Sequence, residues 1–72
     1  MDEIHVAKQI FTHTHLRNMV CDATDDDVRT LVYEVQGNDE IVRIVFGNGY
    51  ERRVCVTGDS KKALAIDVLN AL

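Results

Sequence analysis

The densest cluster of chemically capable side chains in this chain is Asp22, Asp25, Asp26 and Asp27. Hard cations such as magnesium and calcium take carboxylate oxygens. The spacing, however, fails the calcium-loop pattern: counted from Asp22, the sixth position is Asp27 where glycine is needed, and the twelfth is Tyr33 where a bidentate glutamate is needed. The cluster reads as a solvated acidic loop. A smaller pair, Asp39-Glu40, stands at the mouth of an apolar run. It reads as turn chemistry, with a hard cation such as Mg2+ as the alternative ligand of its carboxylates. On the basic side, Arg43, Arg52 and Arg53 are the candidates for phosphate contact, since a guanidinium can donate two parallel hydrogen bonds to a phosphate.

The remaining candidates are weaker in chemistry. His13 and His15 share one side of a strand but lie on nearly opposite sides of a helix, so they ligate zinc together only if a helix ends before them. Cys21 and Cys55 form no paired-cysteine metal motif, and only Arg53 stands near enough in sequence to activate one of them. Gly47-Asn48-Gly49 is followed by strand-forming residues rather than a helix, unlike a phosphate-binding glycine loop.

These side chains must be positioned by short elements. Ile4, Ala7, Ile10 and Phe11, with Thr14, recur at three- and four-residue steps and predict an amphipathic N-terminal helix, from about Asp2 to His13 or beyond, within residues 1–21. Residues 22–27 are the acidic connection. Val28 to Gln36 is rich in β-branched residues and predicts a strand; Gly37-Asn38-Asp39 is a turn, and Ile41 to Phe46 and Tyr50 to Thr57 are two further strands. A three-residue loop with Gly49 in the left-handed region pairs Phe46 with Tyr50, Ile44 with Arg52 and Val42 with Val54, which gives a cleaner apolar row than a two-residue Asn-Gly turn. Asp59 or Ser60 then caps a helix whose buried stripe is Leu64, Ala65, Val68, Leu69 and Leu72, with Lys61, Lys62, Asp67 and Asn70 facing water.

The expected fold is therefore α+β in the order α-β-β-β-α: an antiparallel meander over residues 28–57, with the helix of residues 58–72 packed on one face. In this register Ile41, Arg43, Val45, Glu51, Arg53 and Cys55 share the other face. Arg43 and Arg53 then sit directly across the ladder, where like charges destabilise. Three arrangements would compensate: phosphates of a nucleic acid, a second subunit seated on Ile41 and Val45, or diagonal neutralisation by Glu40 and Glu51 on a wet sheet.

Composition sets the outer limits. With 72 residues, 46% apolar, 28% charged and no proline, the chain is expected to form one globular domain over residues 1–72. The formal charge of -4 lies wholly in residues 1–27, where Asp2, Glu3, Asp22, Asp25, Asp26 and Asp27 face only Lys8 and Arg17. No apolar run approaches a membrane span and the acidic start is unlike a signal peptide, so a cytoplasmic protein with reduced cysteines is expected. A domain this small buries only about 60% of its unfolded surface, and oligomerisation, to at least a dimer, is the expected supplement.

The stretch from Ile41 to Leu72 carries a resemblance. Phe46-Gly47-Asn48-Gly49-Tyr50-Glu51-Arg52-Arg53-Val54-Cys55-Val56-Thr57-Gly58-Asp59-Ser60, with Ala63 and Asp67-Val68 behind it, resembles small proteins of gut-clostridial prophages and mobile elements. Among these is an anti-CRISPR family, directed against Cas9, whose fold is similar to the single-stranded-DNA-binding transcriptional coactivator. The resemblance implies a phage accessory protein that oligomerises through a curved sheet and nicks or relaxes supercoiled DNA with a divalent metal; for such a site Asp39 and Glu40 are the candidate catalytic residues, where Mg2+ or another divalent cation would polarise a phosphate and activate water. The acidic N-terminal segment points to a different class, an inhibitor that binds a nuclease directly by presenting carboxylates where phosphates would lie. A third class is an oligomeric accessory protein without catalysis.

Overall fold

The computed structural model describes residues 2–72. Its elements are α1 (Glu3–Phe11), a π-helical turn (Thr12–Leu16), α2 (Arg17–Ala23), β1 (Val28–Gln36), β2 (Asp39–Phe46), β3 (Glu51–Cys55) and α3 (Lys61–Asn70). The order is α-β-β-β-α. The strands form an open antiparallel sheet in the order β1-β2-β3.

The N-terminal helical segment runs unbroken from Glu3 to Ala23, so Asp22 belongs to α2 and the acidic connection shortens to residues 24–27. Its start is capped by Asp2, whose carboxylate accepts from the His5 amide at 2.9 Å. Of the expected stripe only Phe11 packs against the core. Ile4 and Ile10 are 66% and 59% exposed, while Lys8, Thr12, Leu16 and Val20 turn inward. Residues four apart drift by about 40° per step on an α-helix, so a strict four-residue stripe would wander off the core. The π turn, in which the Arg17 amide donates to the Thr12 carbonyl, takes one more residue into the hydrogen-bonded ring and offsets that drift.

Thr12 is fully buried on this stripe and its hydroxyl has no hydrogen-bond partner. Thr12→Val is expected to stabilise the fold by about 1 kcal/mol, because it removes an unpaired polar group while keeping the shape. A thermal melt reads this as a rise of roughly 4–8 °C.

The sheet has the register that the glycine loop dictates. Val42 pairs with Val54, Arg43 with Arg53 and Ile44 with Arg52. Gly49 has φ +89°, the Phe46 amide donates to the Tyr50 carbonyl at 2.8 Å, and the two rings lie 5.8 Å apart. Both helical segments cover the same face. Leu16 and Val20 from one side and Leu64, Ala65 and Val68 from the other meet Leu31, Tyr33, Val42, Ile44 and Val56 in one core. Ser60, rather than Asp59, caps α3, accepting from the Ala63 amide at 3.2 Å. Leu69 is half-buried and Leu72 is 38% exposed, so the stripe weakens toward the end of the helix. Among the described residues, no helix is long and apolar enough to cross a membrane.

Candidate functional site on the open sheet face

Alternation along three paired strands leaves one face of the sheet without a covering layer. Its residues form a lattice of nine. Thr30, Val45 and Glu51 make one row, Val32, Arg43 and Arg53 the middle row, and Glu34, Ile41 and Cys55 the third. Val32, Ile41 and Val45 are half-buried by their neighbours alone, and Arg53 is exposed.

The Arg43–Arg53 juxtaposition is real, and its compensation is local. Arg43 Nη2 lies 2.9 Å from Glu34 and its Nη1 lies 3.3 Å from Glu51. Of the diagonal neutralisation by Glu40 and Glu51, one of the three arrangements the sequence allowed, the Glu51 half is present, whereas Glu40 takes no part because it points to the opposite face. Glu34 is the residue that sequence reasoning missed. The turn at Gly37 and Asn38 sets Gln36 against Asp39, so Glu34 falls two steps back, beside Ile41 and diagonal to Arg43. Continuing the hairpin register into β1 would have found it.

Arg52 lies on the other side of the strand. It extends past the apolar row to donate a hydrogen bond to the Ala71 carbonyl, capping the end of α3. The three arginines are therefore not one cluster: Arg43 and Arg53 share the open face, and Arg52 serves the helix.

Asp39 and Glu40, being adjacent in β2, point to opposite faces. Asp39 is exposed, whereas Glu40 is 7% exposed. One Glu40 oxygen lies 2.6 Å from Lys8 Nζ and also accepts from the Tyr33 hydroxyl; the other accepts from the Gly58 amide at 2.8 Å. Burial pushes the Glu40 carboxyl up, but the hydrogen bonds from Lys8, Tyr33 and Gly58 and the Lys8 charge outweigh it and hold the group down at about 2. Burial, followed by the bond to Glu40, pushes the Tyr33 hydroxyl well above its ordinary value. Close by, Asp59 is raised, first by its contact with Asp67 and then by burial.

His13 and His15 are exposed on the π turn, where His15 stacks on Phe11 with ring centroids 6.1 Å apart. Cys21 and Cys55 are free and exposed. Among the described residues, no group of three or more histidine, cysteine or acidic side chains is arranged to hold a metal ion. No protein-family model, curated protein or solved structure matches this chain.

Proposed function

We propose that the open sheet face is the contact surface of a small phage or mobile-element accessory protein that inhibits Cas9 through DNA, working in the bacterial cytoplasm. The single observation that carries the reading is Arg53. It is exposed in the middle row of the lattice and has no hydrogen bond or ion pair among the described residues, whereas Arg43 beside it is held by two glutamates. A guanidinium in that state loses little when it meets a phosphate. Assembly, with Ile41 and Val45 at the contact, multiplies such arginines and offsets the repulsion that a -4 chain meets at DNA. The setting of Cas9 inhibition comes from the resemblance of residues 41–72.

The geometry favours binding over cutting. Nicking with Mg2+ or another divalent cation would fall to Asp39 without its neighbour, because the oxygens of Glu40 are taken by Lys8, Tyr33 and Gly58. The acidic decoy is a second reading, favoured by Asp22, Asp25, Asp26 and Asp27, all of which are exposed. Binding to single-stranded and supercoiled DNA across a salt series separates these readings. Arg53→Ala is expected to weaken DNA binding about tenfold and to reduce the salt slope by about one, with Asp39→Ala unchanged. Open-circle formation that needs magnesium and is lost in Asp39→Ala would restore the enzyme reading. No DNA binding, with salt-sensitive binding to Cas9, would establish the decoy.

A further inference from the structure

We infer that β1 is a pairing edge and that its partner is β1 of a second copy, joined antiparallel into a continuous six-stranded sheet. The inference is independent of what the open face binds.

The two outer strands are built differently. β3 has five residues, three of them Glu51, Arg52 and Arg53. A short, charged edge resists pairing. β1 has nine residues, and Val28, Thr30, Leu31, Val32, Tyr33 and Val35 are all strand formers. It carries neither lysine nor proline, and its one irregularity, between Val28 and Thr30, lies at one end. Half of its backbone donors and acceptors point away from β2, as in any edge strand. Beside that edge runs a trough of about 390 Å³, lined by Gln9, Ile10, His13, Leu31, Val32 and Tyr33. Ile10 is 59% exposed along it. Arg17 reaches the Arg29 carbonyl at 3.4 Å, so only the start of the strand is guarded. A long, apolar edge open from Thr30 onward, beside an apolar trough, is a template for strand addition.

Charge selects the occupant. β1 is basic at its start, at Arg29, whose guanidinium makes one long contact of 3.4 Å to the Gly47 carbonyl. It is acidic toward its end, at Glu34, which holds Arg43 through one carboxylate oxygen and has the other, which accepts only from the neutral Gln36 amide, for a second cation. A second copy related by a two-fold axis normal to the sheet runs in reverse, so unlike ends meet twice. With Val32 at the axis, Thr30 stands opposite Glu34 of the second copy, Leu31 opposite its Tyr33, and Arg29 one residue from its Glu34. The same axis keeps the helices of both copies on one side and brings both Ile10 side chains to the seam. The open lattice is doubled, and the edge pairing itself covers none of it.

The test is sedimentation equilibrium of the full chain, the Arg29→Glu and Glu34→Arg variants, and their equimolar mixture, with circular dichroism to report folding. The wild type is expected to dimerise, each reversal to raise the dimer dissociation constant about tenfold or more, and the mixture to regain it, because the two variants bring unlike charges together at both ends. A wild type that stays monomeric at millimolar concentration overturns the inference. So does a dimer indifferent to both reversals, or a mixture of folded variants that does not recover. If either variant fails to fold, hydrogen exchange of the wild type decides. Exchange of β1 amides that slows with concentration supports the paired edge, and unchanged exchange refutes it, leaving β1 to an extended segment of another protein or to none.

Discussion

Lys8→Met is expected to cost about 3 kcal/mol of folding stability at neutral pH, a large share of what a domain of this size has. The loss does not measure an attraction between two charges. It arises because Lys8 and Glu40 are both 7% exposed, so removing the ammonium leaves a buried carboxylate with the Tyr33 hydroxyl, the Gly58 amide and, at 3.8 Å, the His5 ring, but without its cation. A second change, Glu40→Gln in the Lys8→Met background, is expected to return part of the loss, since the remaining group is then uncharged and still hydrogen-bonds.

The pH dependence carries the same signature. The Glu40 carboxyl is held at about 2 against an ordinary 4.5. A depressed carboxylate contributes stability that is present above the ordinary value and drains away as pH falls through the folded one, here between about 4.5 and 2. In Lys8→Met this loss should begin at higher pH, because the charge that depressed the group is gone. Urea unfolding at a series of pH values measures both effects. A cost under about 1 kcal/mol would show that the pair behaves as a solvated surface ion pair.

Leu16→Ala is the other large effect, expected at about 2–5 kcal/mol. Leu16 and Val20 are the only fully buried apolar side chains that the N-terminal helical segment supplies to the core. Of the other inward positions, Phe11 packs against the core only partly buried, and Lys8 and Thr12 contribute little apolar burial. Losing Leu16 leaves a cavity where the π turn meets β1 and should release α1 and α2 before the sheet. Hydrogen exchange would show this as early loss of protection over residues 3–23, with β2 protected longest. Uniform loss across all elements would mean instead that the helix and the sheet unfold as one unit.

These two positions also mark where sequence reading stops. A periodicity search scores apolarity, so it chose Ile4, Ala7 and Ile10 and passed over Lys8 and Thr12. Nothing local makes Lys8 an interior residue. It is interior because Glu40, 32 positions away, meets it under the sheet edge. The same blindness separated Arg43 from Glu34, whose approach depends on the first hairpin register. Arg52 and Arg53 are a different case: the expected register already set them on opposite faces, and only the contact of Arg52 with the end of α3 needed the tertiary structure.

The strands were legible for the opposite reason. Period-two alternation, a left-handed Gly49 and the turn at Gly37 are local constraints, and a slip by one residue would have moved every apolar side chain of the hairpin to water. Ser60 marks the start of α3 in the same local way, through its hydroxyl and the Ala63 amide. By itself, then, the order of residues determined the element sequence, the β2–β3 pairing and the two faces of the sheet. Tertiary structure alone decided which face of the N-terminal helix is buried, which carboxylate is consumed by a buried ammonium, and which arginine is left without a partner. Those outcomes depend on charges brought together across long stretches of chain, where the cost of an unpaired buried group outweighs any local preference.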